Sequence, residues 1–246
     1  MLERIEIKTK FSFEELCDRL RKVQLRGFPD ICVYEDANFM IEDYSPINIV
    51  KDIFTPQPSV YQTHLDKIER LNGLFLNEGV NIFDLTGGYD FIGFDEEGEK
   101  EWTIIPPVVE RFFVPIKDAY LDYSRFLGND LKQRLNEEGV TLTNLYVDNY
   151  KIDFDGWNIC DGSHRIHFAI LNAINQCLLS IDDIKEGWPY YAVPQPYSKI
   201  HVEPERIEDK LDKIHILPEP CHKWLYRLFP SGGILSGTIR SVDRGN

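Results

Sequence analysis

The sequence predicts a mixed α/β fold, and three observations carry that expectation. Helical periodicity opens the chain, strand-like alternation follows, and strand and helix patterns then succeed one another with no repeat or low-complexity tract. With 43% hydrophobic and 13% aromatic residues among 246, there is enough apolar surface to offset the entropy of ordering, so the chain is globular. That length makes one large domain or two small ones, since domains usually run to roughly 100 to 200 residues.

Ser12 precedes FEELCDRLRKV, and Glu15 three positions on completes a capping box. Phe13, Leu16, Leu20 and Val23 recur at helical spacing, and Gly27 and Pro29 end that helix. ICVY and NFMIEDY read as short strands, and the stretch from Ser45 to Ser59, with Pro46, Pro56 and Pro58, reads as a connecting loop. A second helix is expected over 60–77, with Leu65, Ile68, Leu71 and Leu74 as its apolar stripe. From Val80 to Pro107, alternation in NIFDLTGGYDFIGF and KEWTIIP predicts a hairpin or small meander. Pro106-Pro107 removes two donors and blocks helix before it, which sets the expected boundary between an α+β region of unassigned role, 1–107, and a second region, 108–246.

The second region opens with the strand VVERFFVPI and a helix over 123–138 that ends at Gly139, a residue suited to the position after a helix. NLYVDNYKIDF and GWNICD are expected as two short strands on either side of an Asp155-Gly156 turn, and RIHFAILNAINQCLL as an amphipathic helix. The remainder holds PYYAVP, helix candidates in ERIEDKLDKI and EPCHKWLYRLF, and a Gly/Ser-rich SGGILSGTIRS. The mixed signs of ERIEDKLDK mark a solvated helix face.

Subtracting 41 Asp+Glu from 27 Lys+Arg leaves −14, which repels a phosphodiester backbone and argues against nucleic acid as a partner. No stretch has the roughly 18 apolar residues of a membrane helix, and the charged opening MLERIEIKTKFSFEEL is no leader, so a cytoplasmic protein without a membrane partner is expected. Cys17, Cys32, Cys160, Cys177 and Cys221 are odd in number and far apart, with no CxxC pair, and read as reduced, mostly buried thiols. His201, His215, Cys221 and His222 lack ligand spacing, so no protein metal site is assigned.

The segment GWNICDGSHRIHFAI stands above this background. A strand ends in Asp161-Gly162, turns through Ser163 and starts a helix with His164 and Arg165. Unpaired N–H groups at a helix start carry partial positive charge and accept an anion, and Gly162 lets backbone come close to it. Ser163 can also cap, while His164 and Arg165 add side-chain donors, the Arg fork matching phosphate oxygens. A basic pair at this end opposes the helix dipole, and a bound phosphate reverses the sign. His167 lies on another helix face and reads as packing.

This strand-Asp-Gly-x-His-Arg-helix arrangement resembles the signature of the ParB/sulfiredoxin superfamily, over about Val109 to Pro194. The resemblance implies a ParB/sulfiredoxin-like nucleotide-binding domain in the second region, with phosphate cradled by Gly162, Ser163, His164 and Arg165. Sulfiredoxins need a catalytic Cys where Ser163 stands, which disfavours sulfinic-acid reduction here. Partition proteins carry a basic helix-turn-helix domain after the nucleotide domain, whereas this chain shows no obvious such segment and its last helix candidates are acidic, which disfavours specific DNA clamping. The free serine kinases are closest in shape, and in their image Ser236, Thr238 and Arg240 of the Gly/Ser-rich segment form a second phosphate loop. Those kinases place an acidic base soon after the first strand, where Asp118 or Asp122 stands here, and Asp161 beside the helix start is the stronger candidate for base or metal-positioning group. The implied activity is phosphoryl transfer from ATP or ADP, with CTP the other nucleotide to consider and Mg2+ as its counter-ion, to a small hydroxyl compound. The alternative is a non-catalytic, nucleotide-gated ParB-like module that recruits DNA or a partner protein.

Overall fold

The computed structural model describes residues 2–25, 28–55, 59–96, 98–114, 120–122, 129–137, 139, 144–146, 154–182, 195–197 and 200–204. The first strand, β1 (Arg4–Phe11), passes directly into the first helix, α1 (Phe13–Leu20), and Ser12 makes the switch. The Ser12 N–H donates to the Glu15 carboxylate at 2.7 Å and the Glu15 N–H donates to Ser12 Oγ at 3.3 Å, the expected capping box. A short ribbon of β2 (Gln24–Leu25) and β3 (Phe28–Cys32) leads to β4 (Asn38–Tyr44).

The stretch after Ser45, expected as a loop, instead holds α2 (Pro46–Asp52) and β5 (Ile53–Thr55) before β6 (Ser59–Tyr61). Its first proline falls in the opening turn of a helix, where no donor is missed, and Ser45 caps it by accepting from the Asn48 N–H at 3.4 Å. The next helix, α3 (Gln62–Asn77), buries Leu65, Ile68, Leu71 and Phe75, with Leu74 packed at the margin, so the expected stripe faces inward. The expected hairpin follows as β7 (Gly88–Asp95) and β8 (Gly98–Ile104), and β1 joins β7 to make a three-stranded antiparallel sheet in the order β1-β7-β8.

Past Pro106-Pro107 come β9 (Val108–Val114), β10 (Tyr120–Asp122), α4 (Asn129–Glu137), β11 (Asn144–Tyr146) and β12 (Phe154–Asp161). The Asp155-Gly156 pair is not a turn: both residues lie inside β12, paired with Phe113 and Phe112 of β9. A Cβ on Gly156 would stand 2.8 Å from the Phe54 ring, so this glycine admits a close approach of β5 and does not reverse the chain. Downstream, α5 (Ser163–Leu171) is shorter than expected, and the QCLL of its predicted tail belongs to β13 (Gln176–Asp182). The break falls at Ala173, whose φ of 53° is left-handed, where the Ile174 N–H closes the turn onto the Ala169 carbonyl at 2.8 Å. Two short strands, β14 (Gln195–Pro196) and β15 (His201–Glu203), complete the described elements. ERIEDKLDKI, EPCHKWLYRLF, SGGILSGTIRS and PYYAVP lie outside the described residues.

A six-stranded mixed sheet in the order β14-β5-β12-β9-β13-β4 forms the centre. It draws β4 and β5 from before Pro106-Pro107 and the other four strands from after it. The fold class is mixed α/β. One apolar core lies between the three-stranded sheet and α3, built on Ile5, Ile68, Phe75, Phe83, Phe91 and Ile104, and a second lies on the central sheet, built on Ile49, Ile53, Val109, Ile159, Leu178 and Tyr197. The fifth helix belongs to both, giving Ala169 to the first and Ile166 to the second. Among the described residues no helix is long and apolar enough to cross a membrane. Of the cysteines described, Cys17 is buried, Cys32, Cys160 and Cys177 are half-buried, and none of the four is in a disulfide.

Candidate functional site

The turn between β12 and α5 is built from the residues the sequence singles out. Gly162 occupies the N-cap in the left-handed region at φ 87°, where an L side chain is strained. A Cβ there would also meet the Cβ of Pro107 at 2.7 Å. Pro107 is itself fixed to the sheet, its carbonyl accepting from the Leu179 N–H at 2.9 Å. The double proline therefore carries the chain across the turn and packs the glycine in place. Ser163 is the first helical residue, and no side chain caps this helix.

Arg165 points inward, only 2% exposed. Its Nη1 donates to the Ile105 carbonyl at 2.6 Å and its Nη2 lies 3.9 Å from Asp161 Oδ2, while Nε has no partner among the described residues. Burial pulls its pKa down to about 10 against the pull of Asp161, which leaves it charged at neutral pH. The Asp161 carboxylate feels the reverse: burial raises its pKa, opposed by the Arg165 charge and the Gly162 N–H. The buried Arg165 and the part-exposed Asp161 thus form an ion pair that braces the turn, 3.9 Å apart at the nearest atoms.

His164, also 2% exposed, meets a residue that sequence alone does not connect to it. Its Nε2 lies 3.1 Å from Nδ1 of His64 in the first turn of α3, and the two rings are 4.6 Å apart at 63°. Tyr61, the N-cap of α3, stacks on His164 at 5.9 Å and 27° and meets His64 edge-on at 5.5 Å. Burial, with His64, His167 and Lys67 adding to it, pulls the His164 pKa down to about 3. The ring is therefore neutral at pH 7, and its tautomer sets which of the two nitrogens donates in the contact with His64. The N-cap residues Tyr61 and Gly162 make no side-chain cap hydrogen bond and neither first turn holds an acidic residue, so two positive helix ends meet here with the Asp161 carboxylate, held by the Gly162 N–H, beside one of them.

His167, read from sequence as packing, is buried at 7% and its Nδ1 lies 2.9 Å from the Tyr197 hydroxyl. Its Nε2 has no partner among the described residues, and burial lowers its pKa. Asp122 ends β10, which pairs with β11 in a separate two-stranded ribbon, its register partner being Asn144. Asp118, Ser236, Thr238 and Arg240 lie outside the described residues. Among the described residues no group of three or more His, Cys, Asp and Glu side chains is gathered as a metal site. The structure thus unites Asp161, Gly162, Ser163, His164 and Arg165, and adds Tyr61 and His64. No spacing could have found those two, because His64 and His164 are 100 residues apart.

The family model described as the ParB CE domain matches residues 15–114. The chain is similar to that domain over this span, which runs from α1 to the end of β9 and includes Tyr61 and His64. The match lies in the first half of the chain and stops before the DGSHR turn, which no comparison matches. No curated protein and no solved structure matches the chain.

Proposed function

We propose that the protein is a ParB-like nucleotide-binding module that holds phosphate against the converging first turns of α3 and α5. The observation that carries this reading is the meeting of two uncapped helix starts, neither with an acidic first turn, in a protein of net charge −14. Facing positive helix ends repel, an anion between them reverses the sign, and the orphan N–H groups of both turns are the donors it needs. The family match over the segment that supplies α3, and the DGSHR turn that supplies α5, support the same reading.

The activity we propose is transfer of a phosphoryl group from ATP or ADP to a small hydroxyl compound. Asp161, with its raised pKa, and the His64–His164 pair are the groups at the helix start able to take a proton from an attacking hydroxyl. Asp161 is already engaged by Arg165 and the Gly162 N–H. A divalent ion would therefore be held mainly by the nucleotide's own phosphates, to which it supplies charge neutralisation. The ParB CE match favours a second reading, a non-catalytic module whose bound nucleotide, CTP in that case, gates its hold on DNA or a partner protein.

Following ADP release from ATP with and without serine or another hydroxyl acceptor separates the two. A kinase releases ADP only with acceptor present, and Asp161→Asn keeps binding while losing turnover. A gated module hydrolyses slowly whatever the acceptor and changes its affinity for DNA or a protein when nucleotide is added. Absence of binding by any nucleotide overturns both.

A further inference from the structure

The two margins of the central sheet are built differently. At one side β14 is two residues long and finishes in Pro196, so little main chain is offered there. At the other, β4 is seven residues long, pairs with β13 from Asn38 to Tyr44 without a bulge, and carries no lysine or proline. Every second residue of such a strand turns its N–H and C=O away from its neighbour, and among the described residues no strand takes them. Edges of this length are ordinarily shortened, bulged or given lysine or proline, which prevents pairing. We propose that the outer edge of β4 docks an extended basic segment of a partner protein, which adds to the central sheet as an antiparallel strand.

What the edge displays selects the segment. From Gly27 to Val50 the chain has five acidic residues, Asp30, Glu35, Asp36, Glu42 and Asp43, and no Lys or Arg. Asp30 is answered by Arg134 of α4, and Arg21, the cation over the Phe39 ring, is paired with Asp18. Glu42 accepts from the Ser180 and Tyr44 hydroxyls at 2.9 and 3.3 Å, neutral donors that leave its charge in place. Asp43 stands exposed on the opposite face of the strand. Register puts Met40 and Glu42 on the face of Ser180 and Leu178, which α2 covers through Ile49. Met40 is 44% exposed there, and Ile47 in the first turn of α2, at 78%, is the most exposed large apolar side chain among the described residues. A segment antiparallel to β4 thus meets Asp43, Glu42, Ile41 and Met40 in turn, and two basic residues followed by two apolar ones match that row. A second copy does not match it, because its own β4 brings the same carboxylates and each chain carries a net charge of −14. The acidic pair that bars self-pairing is what admits a basic strand.

The probe is the peptide Thr-Lys-Lys-Val-Val-Thr, blocked at both ends, with fluorescence anisotropy reading affinity and hydrogen exchange of the whole chain reading position. Binding is expected to slow exchange within β4 and to leave β7 and β8 unchanged. A peptide of the same charge with proline for both valines loses ladder donors and should bind about tenfold more weakly. A Glu-Glu version should not bind. Asp43→Lys changes an exposed side chain and keeps the fold; it should weaken the Lys-Lys peptide about tenfold and strengthen the Glu-Glu one. No binding, binding that leaves exchange in β4 as it was, or binding indifferent to the prolines or to Asp43→Lys overturns the inference. So does light scattering that finds a dimer whose β4 exchange quickens on dilution, since a second copy then holds the edge. The nucleotide-binding reading stands or falls separately from each of these outcomes.

Discussion

The three-stranded sheet and the six-stranded sheet treat polar side chains in opposite ways. At the margin of the first, Arg19 gives both Nη atoms to Asp90 at 3.1 and 3.0 Å, and the Thr103 hydroxyl donates to the same carboxylate at 2.6 Å. In the second, Thr55, Glu110, Asn158, Gln176 and Ser180 are fully buried on the strands themselves. Glu110 is paired with the Tyr34 hydroxyl and Ser180 donates to Glu42 at 2.9 Å. Asn158, opposite Glu110 in register, and Gln176 have neither end of their amides partnered among the described residues. Buried polar groups cost stability unless satisfied, so a sheet that gathers them is held for more than packing. The DGSHR turn rises from the end of that sheet.

The sharpest way to break this contrast is to remove one arginine from each region. Arg165→Ala empties a fully buried site, strands the Ile105 carbonyl and leaves Asp161 unpaired, and should cost about 3 kcal/mol, whereas Arg19→Ala, at a part-exposed pair, should cost about 1 kcal/mol. Denaturant unfolding measures both, and equal losses would dissolve the distinction. Two left-handed glycines give the next comparison. Gly162→Ala meets Pro107 as well as the backbone penalty and should cost about 3 kcal/mol; Gly79→Ala, at φ 74° with nothing within 4 Å, should cost about 1 kcal/mol.

Acid supplies the third. The His164 pKa falls from 6.5 in the unfolded chain to about 3 in the fold, so the unfolded state binds the extra proton and stability is lost as pH falls through that window. From pH 6.5 to 5 the loss should be about 2 kcal/mol, and His164→Gln should flatten the slope of the unfolding free energy against pH. Asp90, its pKa lowered by Arg19 and Thr103 despite burial, loses its contribution only at lower pH, from its ordinary 3.8 downward. An effect as small as that of Arg19→Ala is expected from Thr103→Val, about 1 kcal/mol, through the one hydrogen bond to Asp90.

What the sequence discloses divides along the same line. The start of α1 and the hairpin β7–β8 are legible because caps and alternation are local signals read within a few residues. The end of α5 is hidden because the run RIHFAILNAINQCLL is apolar on both sides of Ala173, and an unbroken apolar run does not say where helix gives way to strand. Asp155-Gly156 carries the composition of a turn, and only the ring of Phe54, about a hundred residues earlier, makes it a packing site. In the site, Asp161 to Arg165 is a contiguous motif and can be read directly. The inward direction of Arg165, and the arrival of His64 and Tyr61 beside His164, are set by how α3 packs on α5, which no spacing records.

Phosphate bound where α3 and α5 begin would stabilise the folded chain. Thermal unfolding with ATP, ADP, CTP and inorganic phosphate, each with and without magnesium, tests it most directly. A nucleotide at about 100 times its dissociation constant should add about 2.7 kcal/mol and raise the midpoint by about 5–10 °C. That shift is expected for at least one nucleotide, with His64→Asn diminishing it. No shift with any nucleotide, at any magnesium concentration, would contradict it.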